Sequence, residues 1–233
     1  GLVAILCVSL ASGAAGASNM LYDADIDSIM SRTKNRPIPQ GLILPKEALV
    51  FGVILSAISV SIMWVATNLL AASLLLSAIL FYVIIYTICL KRSTVQNIVI
   101  GGAAGSFPPM IGWVAVTGQI TIEPIILFTI IFFWTPPHFW ALALYRSDDY
   151  ERANIPMLPN VYGEFVTKKY ILFYSLLLAS ASFLPFIYNM SGITYLIGAV
   201  LLNIYFILCA VRVYKTIDNK NNNYHSIRMF LFS

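Results

Sequence analysis

Seven stretches of almost unbroken apolar sequence, at residues 1–20, 46–65, 68–90, 95–117, 122–145, 168–188 and 192–214, fix the solvent in which this chain folds. As helices rising about 1.5 Å per residue, they are long enough to cross a hydrocarbon core of about 30 Å. In lipid every backbone N–H and C=O is satisfied within the protein, which leaves helices or closed barrels. Barrel strands need only about ten residues of alternating polarity, and that pattern is missing. Composition agrees, with 59% hydrophobic and 10% charged residues, against about 25% charged in soluble domains. The expectation is an all-α, polytopic transmembrane helical bundle, with residues 1–233 as one integral-membrane domain.

The charges divide cleanly between the connections. Those near 67–68, 117–121 and 188–192 contain no Lys or Arg, and all fourteen basic residues fall at or near the others. If the segments alternate across the bilayer, every base lies on one side, which the positive-inside rule makes cytoplasmic, or the matrix in a mitochondrion. Nine of the ten acids share that side, Glu123 being the exception. The net charge of +4 therefore reports topology rather than nucleic-acid binding. Cys7, Cys89 and Cys209, far apart and with no metal-ligand spacing, read as small buried hydrophobes. The NKNNN patch at 219–223 reads as a solvated linker. The first segment begins without Met and has no signal-peptide layout, and MFLFS resembles the start of another apolar segment. The expectation is a chain cut at both ends.

One charged block stands at the mouth of the first segment: NMLYDADIDSIMSRTKNRP, residues 19–37. Asn19, Asp23 and Asp27 recur every four residues and share one face of a continuing helix, while Asp25 points elsewhere. Stacked oxygen ligands with two carboxylates suit Mg²⁺, which takes few carboxylates and completes its shell with substrate phosphate oxygens. The plainer alternative is an acidic helix end at the interface, but acids there oppose the helix dipole. A second block, YRSDDYERANIPMLP at 145–159, puts Asp148, Asp149 and Glu151 on the same side. Two such clusters, from separate helices, suit two metals around one pyrophosphate. Arg32, Lys34, Arg36, Lys91 and Arg92 would add charge-assisted bonds to its oxyanions. Tyr145, Arg146 and Tyr150, inside the second block, are further substrate-contact candidates.

His138, in WTPPHFWAL, is a packed core histidine, a contact or ligand for a haem-like group, or a proton carrier. Phe107, Trp113, Phe133, Trp134, Phe139, Trp140 and Tyr145 are candidates to line a cavity and face an allylic cation. Gly13-x-x-Gly16 and GGAAG at 101–105 allow close helix contact. Pro108-Pro109 and Pro136-Pro137 remove backbone donors inside spans, as happens around a hollow.

Four blocks in order carry a family resemblance: YDADIDSIMSRTKNRP, KRSTVQNIVIGGAAGSFPPMIGWVAVTG, WTPPHFWALALYRSDDYERANIPMLP and the following VYG. Together they resemble the haem branch of the UbiA superfamily of intramembrane prenyltransferases. The resemblance implies nine helices in a full-length protein. It implies transfer of a farnesyl group from farnesyl diphosphate to a vinyl of haem b, giving haem O and pyrophosphate with Mg²⁺ assistance. By position, Asn19, Asp23 and Asp27 would form the first Mg²⁺–diphosphate motif. Asp149, with Asp148 beside it, would fall in the second, although DDYER here replaces the D-x-x-x-D of other branches. The implied setting is a bacterial inner membrane, with the mitochondrial inner membrane as alternative. The implied protein partners are haem A synthase or terminal-oxidase assembly factors. Prenylation of an aromatic quinone precursor, and a transporter or ion channel, stay open as other functions; acids on one side only and no mid-membrane carboxylate disfavour transport.

Overall fold

The computed structural model describes residues 1–216 and 223–233, so the NKNNN patch lies outside the described residues except for Asn223. Its elements are helices: α1 (Leu2–Tyr22), α2 (Ala24–Ile29), α3 (Pro45–Ala66), α4 (Leu69–Leu80, continuing as a π-helix over Phe81–Leu90) and α5 (Asn97–Thr117). There follow α6 (Ile122–Tyr145), α7 (Ser147–Arg152), α8 (Leu158–Ala181), α9 (Leu184–Ile187), α10 (Ile193–Lys215) and α11 (Tyr224–Phe232). Among the described residues, seven spans are long and apolar enough to cross a membrane, as the hydropathy pattern predicts.

Local chemistry sets the helix ends. Pro45 opens α3, where Glu47 reaches back to accept the Leu44 N–H at 2.8 Å. Asn68 caps α4 by accepting from the Ala71 N–H, and its own amide donates to the Val114 carbonyl of α5, so one side chain joins two helix ends. Large side chains such as Phe51, Phe173, Leu201 and Leu202 are exposed on the outer faces, which in lipid is the favourable place for them. The interior contacts rely on small residues instead, with Cys7, Ala14, Ala71 and Ala141 buried at the helix crossings.

Several details differ from the sequence-based expectation. The sixth span begins at Leu158 rather than 168, because Pro159 starts a helical turn that Gly163 then interrupts at φ 84°. Two of the polar residues that made this stretch look like a loop are engaged from within it, Asn160 donating its amide to the Ser147 carbonyl. Lys168 is buried, 3.3 Å from Glu164 and donating to the Thr216 carbonyl of α10. Cys89 is exposed on the outer face, where a small hydrophobe costs nothing in lipid. Gly13 and Gly16 make no tight helix contact, and Gly16 lines a cavity instead. Met229–Phe232 of MFLFS are helical, within α11, which packs on α6 and α10, and this leaves the reading of that stretch as the start of an apolar segment untouched.

Candidate active site

The long spans deliver three charged blocks, residues 19–37, 91–92 and 145–159, to one end of the bundle. The first helix does not continue through its motif. It stops at Tyr22, Asp23 takes φ −95° and ψ 13°, and α2 restarts at Ala24. The bend is slight, since the Asp23 N–H still meets the Asn19 carbonyl and the Asp27 N–H the Asp23 carbonyl. Asn19, Asp23 and Asp27 are therefore all buried, whereas the side chain of Asp25 is 66% exposed.

Each buried carboxylate is matched by a base, from its own block for Asp27 and Asp149 and from the end of α4 for Asp23. Asp27 Oδ2 accepts from Arg36 Nη1 at 2.7 Å. Asp23 pairs with Lys91, takes the Asn19 amide at 2.7 Å and lies 3.5 Å from Arg92. Arg92 chiefly serves Asp25, at 2.7 and 2.8 Å, and stacks on the Tyr22 ring. Its guanidinium holds the Asp25 carboxyl below the usual range.

The second block joins the first through Ser31, whose hydroxyl donates to Asp149 at 2.7 Å. This hydrogen bond, aided by Arg152 and opposed by burial, lowers the Asp149 pKa, so the group stays a carboxylate at neutral pH. The two acidic blocks thus meet at one end of the bundle. Asp148, Lys34 and Arg146 are exposed, with Arg146 stacked on Tyr145. Tyr150 is buried, and burial raises its hydroxyl pKa against the pull of Arg32.

A cavity of about 340 Å³ lies where these blocks converge. Its polar lining includes Asn19, Asp27, Arg32, Arg36, Lys91, Asn97 and Tyr150; Gly101, Gly105, Ile131, Trp134 and Phe139 line its apolar part. A second cavity of about 300 Å³ adjoins it across Tyr82, Ala104 and Gly105, with Ala11, Ala15, Leu75, Ile79 and Ile111 among its apolar walls.

Of the aromatic candidates, Trp134 and Phe139 line the first cavity, and none of the other five lines either one. From α6 the cavity takes Ile131, Trp134, Thr135 and Phe139. Trp140 lies on another face, against Tyr170 and Tyr174 of α8, and Phe107 packs on Phe81 and Phe128. His138 stacks on Trp134 at 4.3 Å and Phe230 at 4.6 Å, with Nδ1 2.6 Å from Ser233 Oγ, outside the cavity lining.

Sequence reasoning missed Tyr82, Tyr86, Asn97 and Ser31. Two tyrosines four apart in an apolar run were the available signal for the first pair; Ser31 offered none. Asn97 donates to Thr94 and Pro156 carbonyls, fastening the loop before α8 to the start of α5.

The GGAAG stretch brings α5 against both neighbours. A Cβ on Gly101 would stand 2.2 Å from Tyr86 Cδ2, and one on Gly102 2.9 Å from Thr135 Cγ2. Gly101→Ala is expected to displace Tyr86 and cost about 1–3 kcal/mol, the usual penalty of overpacking. A fall in the thermal unfolding midpoint of the purified protein in detergent checks this; an unchanged midpoint contradicts the close approach.

Among the described residues, no three His, Cys, Asp or Glu side chains converge on one point. The oxygen donors Asn19, Asp23 and Asp27 are of the kind Mg²⁺ uses, since it needs one or two carboxylates and draws further ligands from phosphate and water.

Comparison with known proteins follows the same lines. The model of the UbiA prenyltransferase family matches residues 1–233. The protoheme IX farnesyltransferase of Rhizobium etli (strain CIAT 652) is 53% identical over the whole chain, which covers 74% of that protein. Among solved structures, a digeranylgeranylglyceryl phosphate synthase superposes with TM-score 0.80 at 23% identity, covering 99% of this chain and 80% of its own. A UbiA homologue from Archaeoglobus fulgidus bound to DMAPP and Mg²⁺ gives TM-score 0.73 at 16% identity, covering 99% of this chain and 85% of its own. At those identities the structures speak for the fold alone.

Proposed function

The chain belongs to the UbiA prenyltransferase family, and from that premise we propose that it transfers the farnesyl group of farnesyl diphosphate to a vinyl group of haem b, yielding haem O and diphosphate. The observation that carries this assignment is the pair of buried carboxylates, Asp23 and Asp27, matched to Lys91 and Arg36 at the polar part of a cavity whose other walls are apolar. An allylic diphosphate needs charge for its leaving group and a dry chamber for the cation left behind.

Asn19, Asp23 and Asp27 would hold Mg²⁺, with Asp149 as the candidate from the second block. When bound, Mg²⁺ supplies positive charge to the departing diphosphate. Arg32, Arg36 and Lys91 line the same cavity and offer charge-assisted hydrogen bonds to the phosphate oxygens. As the C–O bond of the farnesyl C1 breaks, its electron pair leaves with diphosphate. Tyr82, Tyr86, Trp134 and Phe139 line the cavity and offer aromatic rings to an allylic cation formed there. The vinyl π-electrons then bond to C1, and the cation transferred to the porphyrin side chain is quenched by water, which gives up a proton and leaves a hydroxyl. That water has to enter from the polar rim, because the remaining walls are apolar. The adjoining cavity, apolar along α1, α4 and α5, suits the farnesyl tail.

The base-rich end supports an orientation with the site facing the cytoplasm of a bacterial inner membrane. A product this hydrophobic favours direct hand-over to a membrane partner such as haem A synthase or a terminal-oxidase assembly factor. Membranes carrying the protein, given Mg²⁺, farnesyl diphosphate and haem b, are expected to form a more hydrophobic haem on reversed-phase chromatography. Its mass should exceed that of haem b by one farnesyl group and one hydroxyl. EDTA is expected to stop the reaction and excess Mg²⁺ to restore it. Prenylation of a phenolic acid with haem b left unchanged would refute the choice of acceptor.

A further inference from the structure

Thr87 lies in the π-helical half of α4, fully buried, and the chemistry above makes no use of it. A threonine hydroxyl has one proton to give and lone pairs with which to accept. Here the proton goes to the Tyr82 carbonyl at 2.9 Å, five residues back, a partner that the wider π-helical turn brings within reach. The oxygen is then an acceptor for Asn19 Nδ2, 3.2 Å away. That amide also donates to Asp23 Oδ2 at 2.7 Å, and a carboxylate can only accept. Both contacts hold the NH₂ end of Asn19 against protein groups, leaving the amide oxygen as the end offered to the cavity that Asn19 lines.

The two contacts are not equally durable. Asp23 Oδ2 also receives Lys91, and its lone pairs are those that a bound cation would compete for. Thr87 is neutral and sits on a different helix, so its grip on the amide survives ligand binding. We infer that Thr87 is a positioning residue whose hydroxyl fixes the orientation of the Asn19 amide, so that oxygen rather than NH₂ meets the Mg²⁺–diphosphate ligand. The inference rests on the assignment of Asn19 as a ligand contact under Proposed function.

The test is calorimetric titration of the purified full chain in detergent with farnesyl diphosphate and Mg²⁺. Haem is left out, so that binding is read without turnover. Thr87→Val keeps the shape and loses the acceptor, and is expected to bind about 10-fold more weakly, in line with residues that orient metal ligands. The Mg²⁺ concentration for half-maximal haem O formation should rise by a similar factor, with kcat recovered at saturating Mg²⁺. Thr87→Ser should bind as the wild type does. Should the valine variant fail to fold, Thr87→Ala makes the same comparison. Asn19→Ala separates the two levels. Undiminished binding by Asn19→Ala overturns the ligand assignment of Asn19. Weakened binding there, with Thr87→Val or Thr87→Ala still at wild-type strength, overturns the role of Thr87 alone. A serine variant as weak as the valine one does the same, since shape rather than the hydroxyl would then be responsible.

Discussion

Membranes carrying Asp27→Ala are expected to form haem O on the order of 10³-fold more slowly than wild type, the scale seen when a preorganised group acting on transition-state charge is removed. The protein itself should remain inserted and folded. Asp27 is 2% exposed, but its partner Arg36 has a side chain 35% exposed, so the orphaned guanidinium finds water. The local backbone does not depend on the Asp27 carboxylate, because the Thr33 hydroxyl bonds the Asp27 carbonyl instead. A large kinetic loss with a small stability loss is what a ligand-handling carboxylate predicts. Chromatographic assay of haem O, with the unfolding midpoint measured on the same preparation, checks both halves. Wild-type turnover in this variant contradicts the assignment.

Lys91→Met should behave differently. It strands Asp23, which is fully buried, with the Asn19 amide and a long contact to Arg92 as its remaining partners. Removing one member of a buried ion pair costs about 3–5 kcal/mol. The lower end applies here because the Lys91 side chain keeps 16% exposure. Both stability and haem O formation are therefore expected to fall. In Asp23→Asn/Lys91→Met no buried charge is left unmatched, and most of the stability should return while activity does not. Thermal unfolding of the two single variants and the double variant, set beside their activities, separates structural from chemical roles. Recovered activity in the double variant would show that the pair serves only the fold.

The bundle was legible because span length and loop charge are local properties of the chain. Asp23 and Asp27 could be placed on one face from their spacing, and the small bend at Asp23 left that face intact. The cavity walls were not legible in the same way. Which face of α6 looks inward depends on contacts between helices, such as Thr135 against Gly102, that composition does not encode. Five of seven aromatic candidates were therefore misplaced. The π-helix that carries Tyr82, Tyr86 and Thr87 was not legible either, because its sequence reads as an ordinary apolar span. The tie from Ser31 to Asp149 crosses between blocks 118 residues apart and leaves no local trace.

The central physical claim is that one diphosphate is held where the first acidic block meets its bases. An experimental structure with Mg²⁺ and the unreactive thio-analogue of farnesyl diphosphate tests it most directly. The diphosphate is predicted beside Asn19 and Asp27, within hydrogen-bonding reach of Arg36 and Lys91, with the isoprenoid tail in the apolar chambers past Tyr82. A diphosphate bound at the opposite end of the bundle, near the connections that lack Lys and Arg, would contradict it.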